Sequence, residues 1–375
     1  RSIMAGCALV RVALISDCYL PRLGGIEVQV HDLALQLQSA GHEVTVITAT
    51  GGGPGGIEDG IQVHRLALPL PGGIPINPLA PPQVRRLLAQ GDFDVAHVHM
   101  GVVSPFAVSL VPVALEAGLP TAITWHCVID RSAPWHRLLG RARRWAQAGV
   151  ALSAVSRMAA DRVEAIADAP VAVLGNGIDP QRWRRPADLP SEPAGGLRVV
   201  SAIRLASRKR PHAVIDVLAR ARALLDPAIA LDATIFGDGP QRTRLLRMLD
   251  AEGMDWVRLA GRVSRDELRT AYWHSDIYLS TARLESFGIA ALEARCAGLV
   301  VAARSGTGVE DFVTDGVDGI LAPSDDVLAS RIADLGRELD ALRRMQTAVR
   351  EAPVQHSWPA MLEQTLAEYH RAGAP

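Results

Sequence analysis

The chain has 375 residues, a length that predicts two domains, each large enough to bury a core of its own. Its 39 lysine and arginine residues nearly balance its 40 aspartate and glutamate residues, and the formal net charge of −1 argues against a dedicated nucleic-acid-binding protein. The four cysteines are scattered without a CxxC pair, which predicts neither a zinc site nor a disulfide framework and is typical of reduced thiols in a cytoplasmic protein.

The apolar stretches of the chain are short. The longest, residues 102–115, falls below the roughly 20 residues that a helix needs to cross a bilayer. The apolar start, residues 1–10, is too short for the usual layout of a secretory signal. We therefore expect a soluble, cytoplasmic protein.

Strand-length apolar stretches alternate with helix-length amphipathic stretches along the first half of the chain. The predicted elements, in chain order, are strand 12–16, helix 26–40, strand 44–48, strand 63–67, helix 83–90, strand 95–99, helix 104–117, strand 122–126, helix 134–148, strand 151–155, helix 157–167 and strand 171–174. Apolar strands that alternate with helices are typical of a parallel sheet covered on both faces.

The second half repeats this pattern after a polar, proline-rich segment at 180–196, which we interpret as a linker. Its predicted elements are strand 198–202, helix 212–225, strand 233–236, helix 241–252, strand 257–259, helix 265–274, strand 277–280, helix 288–297, strand 300–303, strand 320–322 and helix 326–347. The sequence thus predicts two doubly wound α/β domains. Ligands of such sheets bind beyond the carboxyl ends of the strands, so we expect the domains to face each other across one site.

The first stretch that can carry chemistry follows the first strand and opens a helix. It contains Gly24 and Gly25, and paired glycines let a ligand approach the backbone at a helix start, where unpaired N–H groups attract anions. This arrangement is compatible with contact to a diphosphate. A turn that merely requires glycine is the alternative.

A single lysine stands among the 39 basic residues of the chain. Lys209 follows the first strand of the second half, five residues after Arg204. An ammonium is a compact point charge, unlike the planar guanidinium, and two cations in one loop can clamp two phosphates. The alternative is that Lys209 is an accident of codon usage on a solvated surface.

Two carboxylates flank the start of a predicted helix in the second half. Glu285 precedes Phe287 and Gly288, which open the helix, and Glu293 lies further along it. Glu285 could simply complement the helix dipole. Glu293 has apolar neighbours in the sequence, where a carboxylate is usually paired or bound to hydroxyl groups.

Histidines end two neighbouring strands of the first half. His126 follows the predicted strand 122–126, and His97 and His99 lie on the strand before it. His126 is the candidate for contact with a substrate. For each of the three, and most of all for His97 and His99, a hydrogen-bonded core histidine is the alternative.

Seven short motifs then occur in the order found in one enzyme family. They are Pro21…Gly24-Gly25-Ile26-Glu27 with Gly41-His42-Glu43-Val44, Thr124-Trp125-His126, Asn176-Gly177-Ile178-Asp179, Arg204…Lys209, Gly237-Asp238-Gly239-Pro240, Glu285…Glu293 and Asp315-Gly316-Val317-Asp318-Gly319. With them the chain resembles the retaining GT-B glycosyltransferases of glycosyltransferase family 4, also called group 1. The stretch from Ser16 to Glu27 is most similar to enzymes that glycosylate phosphatidylinositol.

This resemblance implies a GT-B fold with two facing Rossmann-like domains. The first, on the acceptor side, would comprise residues 10–183 and be completed by the C-terminal helix within 357–375. The second, residues 184–356, would bind a nucleotide sugar. One departure from the family pattern is Arg210, which follows Lys209 where a glycine is usual.

The resemblance also implies roles for single residues. Arg204 and Lys209 would neutralise the donor diphosphate, Glu285 would lie beside the transferred sugar and Glu293 would bind the ribose. Catalytic contacts would come from His126, Arg204, Lys209 and Glu285, and donor-binding contacts from Gly24, Gly25, Gly237, Val263, Phe287, Gly288 and Glu293.

The implied reaction transfers a hexose with retention of configuration from a UDP- or GDP-sugar to a hydroxyl acceptor, a lipid or lipid-linked glycan being one class of acceptor. The nucleotide sugar is a substrate, and we expect no cofactor and no essential protein-bound metal. Alternatives are a nucleotide-sugar epimerase of similar fold and a non-catalytic subunit that binds a nucleotide sugar.

A basic segment with two tryptophans, residues 135–145, is the candidate for membrane contact. On one continuous helix, Arg137, Arg141 and Arg144 would share a face that suits anionic lipid. This predicts peripheral association with the inner face of the cell membrane. A solvated arginine face on an ordinary amphipathic helix is the alternative.

Overall fold

The structure is a computed structural model, and it describes residues 9–22, 24–53, 55–69, 75–130, 133–189 and 195–375. It consists of two compact units. The first comprises residues up to Gly177 together with His356–Pro375, and the second comprises Ile178–Gln355. Each unit is a parallel sheet covered by helices, so the predicted fold class is confirmed.

The first unit contains an eight-stranded sheet. Its strands are β1 (Arg11–Ser16), β2 (Glu43–Thr48), β3 (Gly56–Glu58), β4 (Ile61–Arg65), β5 (Val95–Met100), β6 (Thr121–Trp125), β7 (Ala151–Ala154) and β8 (Ala172–Val173). Its helices are α1 (Gly25–Ser39), α2 (Ala80–Gln90), α3 (Pro105–Glu116), α4 (Ala133–Leu139), α5 (Arg141–Gln147), α6 (Arg157–Ala167) and the C-terminal α14 (Trp358–Arg371).

The strand order of this sheet is β3-β4-β2-β1-β5-β6-β7-β8. All pairings are parallel except that of β3 with β4. Buried apolar side chains lie on both faces of the sheet, and α14 packs with α1 on one of them. The prediction that the C-terminal helix returns to the first domain is therefore confirmed.

The second unit contains a six-stranded parallel sheet with the order β11-β10-β9-β12-β13-β14. Its strands are β9 (Gly196–Ala202), β10 (Ala230–Phe236), β11 (Val257–Gly261), β12 (Ile277–Ser280), β13 (Val300–Arg304) and β14 (Gly319–Ala322). Its helices are α7 (Pro180–Trp183), α8 (Pro211–Leu224), α9 (Arg242–Ala251), α10 (Arg265–Trp273), α11 (Ile289–Cys296), α12 (Asp325–Arg337) and α13 (Leu339–Glu351).

Every predicted strand and helix has a counterpart, but two predicted helices are each divided in two. The helix predicted at 134–148 is α4 followed by α5, because Gly140 adopts a left-handed φ of 56° that ends α4. The helix predicted at 326–347 is α12 followed by α13, with a break at Glu338. The short edge strand β3 was not predicted.

The division at Gly140 corrects the prediction for the basic segment. Arg137 lies on α4, whereas Arg141 and Arg144 lie on α5, so the three arginines do not share one face of a continuous helix. All three are exposed, and Arg144 Nη2 donates to the carbonyl oxygen of Leu139, the last residue of α4.

The linker region also differs from the sequence-based description. Residues 180–183 form α7, which contacts α11 of the second unit, so the boundary between the units falls after Gly177. Asp179 begins α7 by accepting hydrogen bonds from the backbone N–H groups of Gln181 and Arg182. Residues 190–194 of the predicted linker lie outside the described residues.

Candidate active site

The second unit has a topological switch point between β9 and β12. The chain runs from β9 outwards through β10 to β11 on one side, and from β12 outwards through β13 to β14 on the other. The loops that follow β9 and β12 therefore diverge, and ligands of open α/β sheets bind in the crevice that such loops leave. Lys209 lies in the first of these loops and Glu285 in the second.

Lys209 and Glu285 form an ion pair across this switch point. Lys209 Nζ lies 2.5 Å from Glu285 Oε2, and the two side chains are 25% and 17% exposed. Because both groups are largely shielded from water, their attraction is stronger than that of a surface pair. A phosphate that binds Lys209 would have to compete with this carboxylate.

Arg210, which stands where the family pattern usually has a glycine, fixes the backbone beside Lys209. Arg210 has a left-handed φ of 53°, a conformation that glycine adopts without strain and other residues adopt rarely. Its guanidinium donates to the carbonyl oxygen of Thr281 and to both carboxylate oxygens of Asp325. These bonds tie the loop after β9 to residues that follow β12 and β14.

Arg204 is placed differently from Lys209, although both follow β9. Its side chain is exposed, and it has no hydrogen-bond or ion-pair partner within the part of the chain that the structure describes. An exposed guanidinium keeps its five N–H donors available for an incoming anion.

Helix α11 begins at Ile289, four residues after Glu285. Gly288 precedes the helix with a φ of 93°, which allows the chain to turn sharply, and Phe287 is buried against the ring of Phe312. The N-terminus of a helix carries positive potential and N–H groups without intrahelical partners. The predicted helix start at Gly288 is thus one residue early.

Glu293 lies within α11 and is only 6% exposed. Its Oε1 accepts a hydrogen bond of 2.9 Å from Arg265 Nη2 at the first turn of α10. The sequence did not single out Arg265. A capping-box pattern of Ser264 and Glu267 marks the start of α10, but nothing in the sequence reveals a contact with a residue 28 positions away.

Gly237 and Val263 lie in the loops that follow β10 and β11. Gly237 has a φ of 117°, and a Cβ atom there would lie 1.9 Å from the carbonyl oxygen of Ile203. Glycine is therefore required for backbone packing at this position, whatever else it contacts. Val263 is half-buried just before α10.

The first unit has its own switch point, between β1 and β5. Asp17 follows β1, and its carboxylate accepts hydrogen bonds from the backbone N–H groups of Phe106 and Ala107 at the start of α3. Burial raises the pKa of Asp17 to about 6, although these hydrogen bonds oppose the shift. Asp17 thus links the end of β1 to the start of α3, the helix that follows the neighbouring strand β5.

Gly24 and Gly25 lie at the start of α1, as predicted. The buried side chain of Glu27 folds back over Gly24, so that a Cβ on Gly24 would lie 2.3 Å from Glu27 Oε2. Glu27 is also paired with Arg22 at 3.2 Å. A carboxylate in the first turn already complements the helix dipole, and an anionic ligand would meet its negative charge.

His126 belongs to a cluster of histidines at the ends of β5 and β6. Its Nε2 lies 2.9 Å from His99 Nδ1, so one ring donates to the other, and the side chain of Asn176 provides a further hydrogen bond. Burial lowers the pKa of His126 to about 4, against the effect of Asn176, and lowers the pKa of His99 well below its usual value. Both imidazoles are therefore neutral at pH 7.

His97 lies beside His99, with ring centroids 4.1 Å apart. Its two nitrogens contact Tyr369 Oη at 3.0 Å and Thr124 Oγ1 at 2.8 Å. Burial lowers the pKa of His97 to about 3. His97 is thus a hydrogen-bonded core residue that joins α14 to the sheet.

Two family models match the chain, and together they span most of it. Residues 23–182 match the model described as Glycosyltransferase Family 4, and residues 190–352 match the model described as Glycosyl transferases group 1. The chain belongs to the group 1 glycosyltransferases of the GT-B fold. The resemblance seen in the seven motifs is confirmed.

Curated relatives of this group 1 glycosyltransferase align along nearly the whole chain. It is 27% identical to the GDP-mannose-dependent alpha-mannosyltransferase of Mycobacterium tuberculosis (strain CDC 1551 / Oshkosh), with 96% of each chain covered. It is also 27% identical to the phosphatidyl-myo-inositol mannosyltransferase of Mycolicibacterium smegmatis, with 96% of this chain and 93% of the relative covered.

A similar solved structure is that of Anabaena HepE in complex with UDP and glucose. The TM-score is 0.72 at 17% identity, with 96% of this glycosyltransferase and 98% of HepE covered. At this identity the likeness shows the fold alone.

The predicted site residues of this glycosyltransferase are divided between the two units. Most belong to the second unit, at the carboxyl ends of β9–β12 or on α11, namely Arg204, Lys209, Gly237, Val263, Glu285, Phe287, Gly288 and Glu293. Gly24, Gly25 and His126 belong to the first. Sequence reasoning missed Arg265 and the contacts of Glu27 and His99, because each depends on residues that only the fold brings together.

Proposed function

We propose that this enzyme transfers a hexose, with retention of configuration, from a UDP- or GDP-sugar to a hydroxyl group of an acceptor. The observation that carries the proposal is the ion pair of Lys209 and Glu285 at the switch point of the second unit, directly before α11. A diphosphate needs the cation and a sugar needs hydrogen-bond acceptors, and the pair offers both. The relatives named as mannosyltransferases support this reading.

In this proposal the second unit binds the donor. Arg204 and Lys209 neutralise the diphosphate, while Glu285 and the backbone at Phe287 and Gly288 contact the hydroxyl groups of the sugar. Glu293 accepts hydrogen bonds from the ribose. Gly237 and Val263 lie in loops at the same edge of the sheet, which suits contact with the nucleotide.

From the first unit we propose contacts by Gly24, Gly25 and His126. The low pKa of His126, which follows from burial, keeps the imidazole neutral. A neutral ring does not act as a fixed cation. Because the ring already hydrogen-bonds to His99 and Asn176, a sugar hydroxyl that binds it must replace one of these two partners. Glu27 lies over Gly24 and is paired with Arg22, which offsets its negative charge beside the proposed contact between the diphosphate and Gly25.

The chemical demand is to stabilise negative charge on the departing nucleoside diphosphate. Fixed cations and a helix N-terminus aimed at that charge each contribute on the order of 3 kcal/mol. We propose a front-face route, in which an oxygen of the leaving diphosphate accepts the proton of the acceptor hydroxyl while the new bond forms on the same face. Since Arg204 and Lys209 supply positive charge, we also propose that no protein-bound metal is essential.

Release of UDP or GDP tests the proposed activity against its alternatives. With the purified enzyme, we expect release from a UDP- or GDP-hexose that depends on an added hydroxyl acceptor and persists in EDTA, and proton NMR should show a product with the donor's anomeric configuration. Interconversion of the donor without acceptor would indicate an epimerase instead. Binding without turnover would indicate a non-catalytic subunit, and an inverted product would contradict retention.

We further propose a lipid or lipid-linked acceptor and peripheral contact with an anionic membrane. No helix within the described residues is long and apolar enough to span a bilayer. On α4, Trp135, Leu138 and Leu139 are 67%, 75% and 45% exposed. Exposed arginines of α4 and α5 accompany them, namely Arg137, Arg141, Arg143 and Arg144. Apolar side chains beside guanidinium groups suit the interface of an anionic bilayer.

Liposome flotation tests this contact. We expect the enzyme to float with vesicles that contain phosphatidylglycerol and to be released at 0.5 M salt. Arg137→Gln with Arg141→Gln should lower partitioning by about 30-fold, since each basic residue contributes about 1 kcal/mol near an anionic surface. Arg85→Gln, an exposed arginine of α2, is the matched control. Binding that is absent or insensitive to salt would contradict the proposed contact.

A further inference from the structure

Arg265 links two helices of the second unit at the carboxylate that we propose for ribose binding. Its Nη2 donates to Glu293 Oε1 over 2.9 Å, and its guanidinium carbon lies 5.9 Å from the centre of the Trp183 ring. Trp183 is itself buried and packs against Tyr272. The guanidinium is thus held by an aromatic ring as well as by the carboxylate.

The position of Arg265 in its helix is unfavourable for a cation. It is the first residue of α10, where the helix dipole favours negative charge and disfavours positive charge by about 0.3–1 kcal/mol. The start of α10 already has a complete capping box, made by Ser264 and Glu267. The helix therefore gains nothing from an arginine at this point, and the contact with Glu293 accounts for it.

Arg265 compensates the buried carboxylate of Glu293. Glu293 is 6% exposed, and a buried carboxylate without compensation is strongly disfavoured. A carboxylate has about four acceptor sites on its two oxygens, so a bond from Arg265 at Oε1 is compatible with further bonds from vicinal hydroxyl groups. An ionised carboxylate makes stronger hydrogen bonds to hydroxyl groups than a protonated one.

We propose that Arg265 is a positioning residue for ribose recognition. It holds the Glu293 carboxylate in the orientation in which the carboxylate accepts hydrogen bonds from the 2′- and 3′-hydroxyl groups of the nucleotide. The proposal rests on the proposed function, because it assumes that Glu293 meets a ribose. In this role, Arg265 increases the selectivity of the enzyme for ribonucleotides over deoxyribonucleotides.

Calorimetric titration of the whole enzyme with UDP, 2′-deoxy-UDP, GDP and 2′-deoxy-GDP tests this role. For the wild type we expect the preferred ribonucleotide to bind about 10–100-fold more tightly than its deoxy form, the range for a hydrogen bond to a charged group. Arg265→Met should reduce this ratio to below about 3-fold, and it should weaken the deoxy form less than the ribonucleotide, because the deoxy form has only the 3′-hydroxyl contact to lose. A merely structural role would weaken both forms equally.

Two further variants complete the experiment. Arg269→Met changes an arginine one turn along α10 that pairs with Asp266 and stacks on Trp273, so it should keep the wild-type ratio. Arg265→Lys keeps the charge without the planar fork, and an intermediate ratio is expected even if Arg265→Met does not fold.

The outcomes separate the two levels of the proposal. A wild type that binds neither UDP nor GDP contradicts the proposed function and the inference with it. A wild type that binds both forms of a nucleotide equally contradicts ribose recognition. If Arg265→Met or Arg265→Lys still binds nucleotide and keeps the wild-type ratio of ribonucleotide to deoxyribonucleotide affinity, the role of Arg265 is overturned and the proposed function is not.

Discussion

Replacing Lys209 with alanine is expected to lower turnover by about 10²–10³-fold while the protein folds normally. In the proposed function, the variant removes a fixed positive charge from beside the leaving diphosphate, where negative charge develops, and one such donor accounts for a loss of this size. It also leaves Glu285 without the cation that faces it at 2.5 Å. The rate of acceptor-dependent UDP or GDP release, with circular dichroism as the check on folding, measures the effect.

Two further substitutions show whether the ammonium itself matters. Lys209→Arg should also be impaired, since the bulkier planar guanidinium cannot occupy the position of a compact ammonium against Glu285. Arg208→Ala, an exposed neighbour on the same turn, should stay within about 3-fold of the wild type. Full activity of Lys209→Arg would mean that the single lysine of the chain is an accident of composition.

The largest loss of stability is expected at the buried ion pair of Arg295 and Asp318. Arg295 Nη2 lies 2.5 Å from Asp318 Oδ2, and the side chains are only 6% and 8% exposed. Arg295→Met should lower the free energy of unfolding by about 3–5 kcal/mol, because it leaves Asp318 buried without its cation. With an m value of about 2–3 kcal/mol/M, the urea midpoint of the second unit should fall by about 1–2 M.

Two comparisons separate the uncompensated charge from lost packing. Arg295→Met with Asp318→Asn should recover part of the stability, since the second change removes the buried charge. Arg343→Met breaks the exposed pair with Asp340, which contributes at most about 1 kcal/mol. If Arg295→Met and Arg343→Met lowered the free energy of unfolding equally, burial would add nothing to the contribution of the pair of Arg295 and Asp318.

The sheets and the loops at their carboxyl ends could be predicted from the sequence. Parallel strands buried on both faces are continuous apolar stretches, and each ends where a loop begins, so Lys209 and Glu285 could be assigned to such loops. The break at Gly140 could not be predicted, because helical periodicity continues across it. A left-handed glycine in the middle of an amphipathic stretch leaves no trace in the pattern of apolar residues.

Pairings between distant residues were also beyond prediction. Lys209 and Glu285 were each identified as site residues, yet their ion pair joins positions 76 apart and depends on β9 and β12 being neighbours. The contact of Arg265 with Glu293 depends in the same way on how α10 lies against α11. Neither contact could be predicted, because the pattern of apolar residues determines how sheets and helices stack in layers. It does not determine which side chains meet within a layer.

The ion pair of Lys209 and Glu285 also governs which ligands Lys209 attracts. Because the two charges cancel, a small anion such as inorganic phosphate meets a dipole at Lys209 rather than an open cation, and its binding there must displace a carboxylate already in place. The exposed guanidinium of Arg204 stays open to it. A ligand that presents phosphate to Lys209 and hydroxyl groups to Glu285 replaces both halves of the pair at once. The ion pair thereby makes Lys209 a weaker site for a simple anion than for a phosphate that carries hydroxyl groups able to bind Glu285.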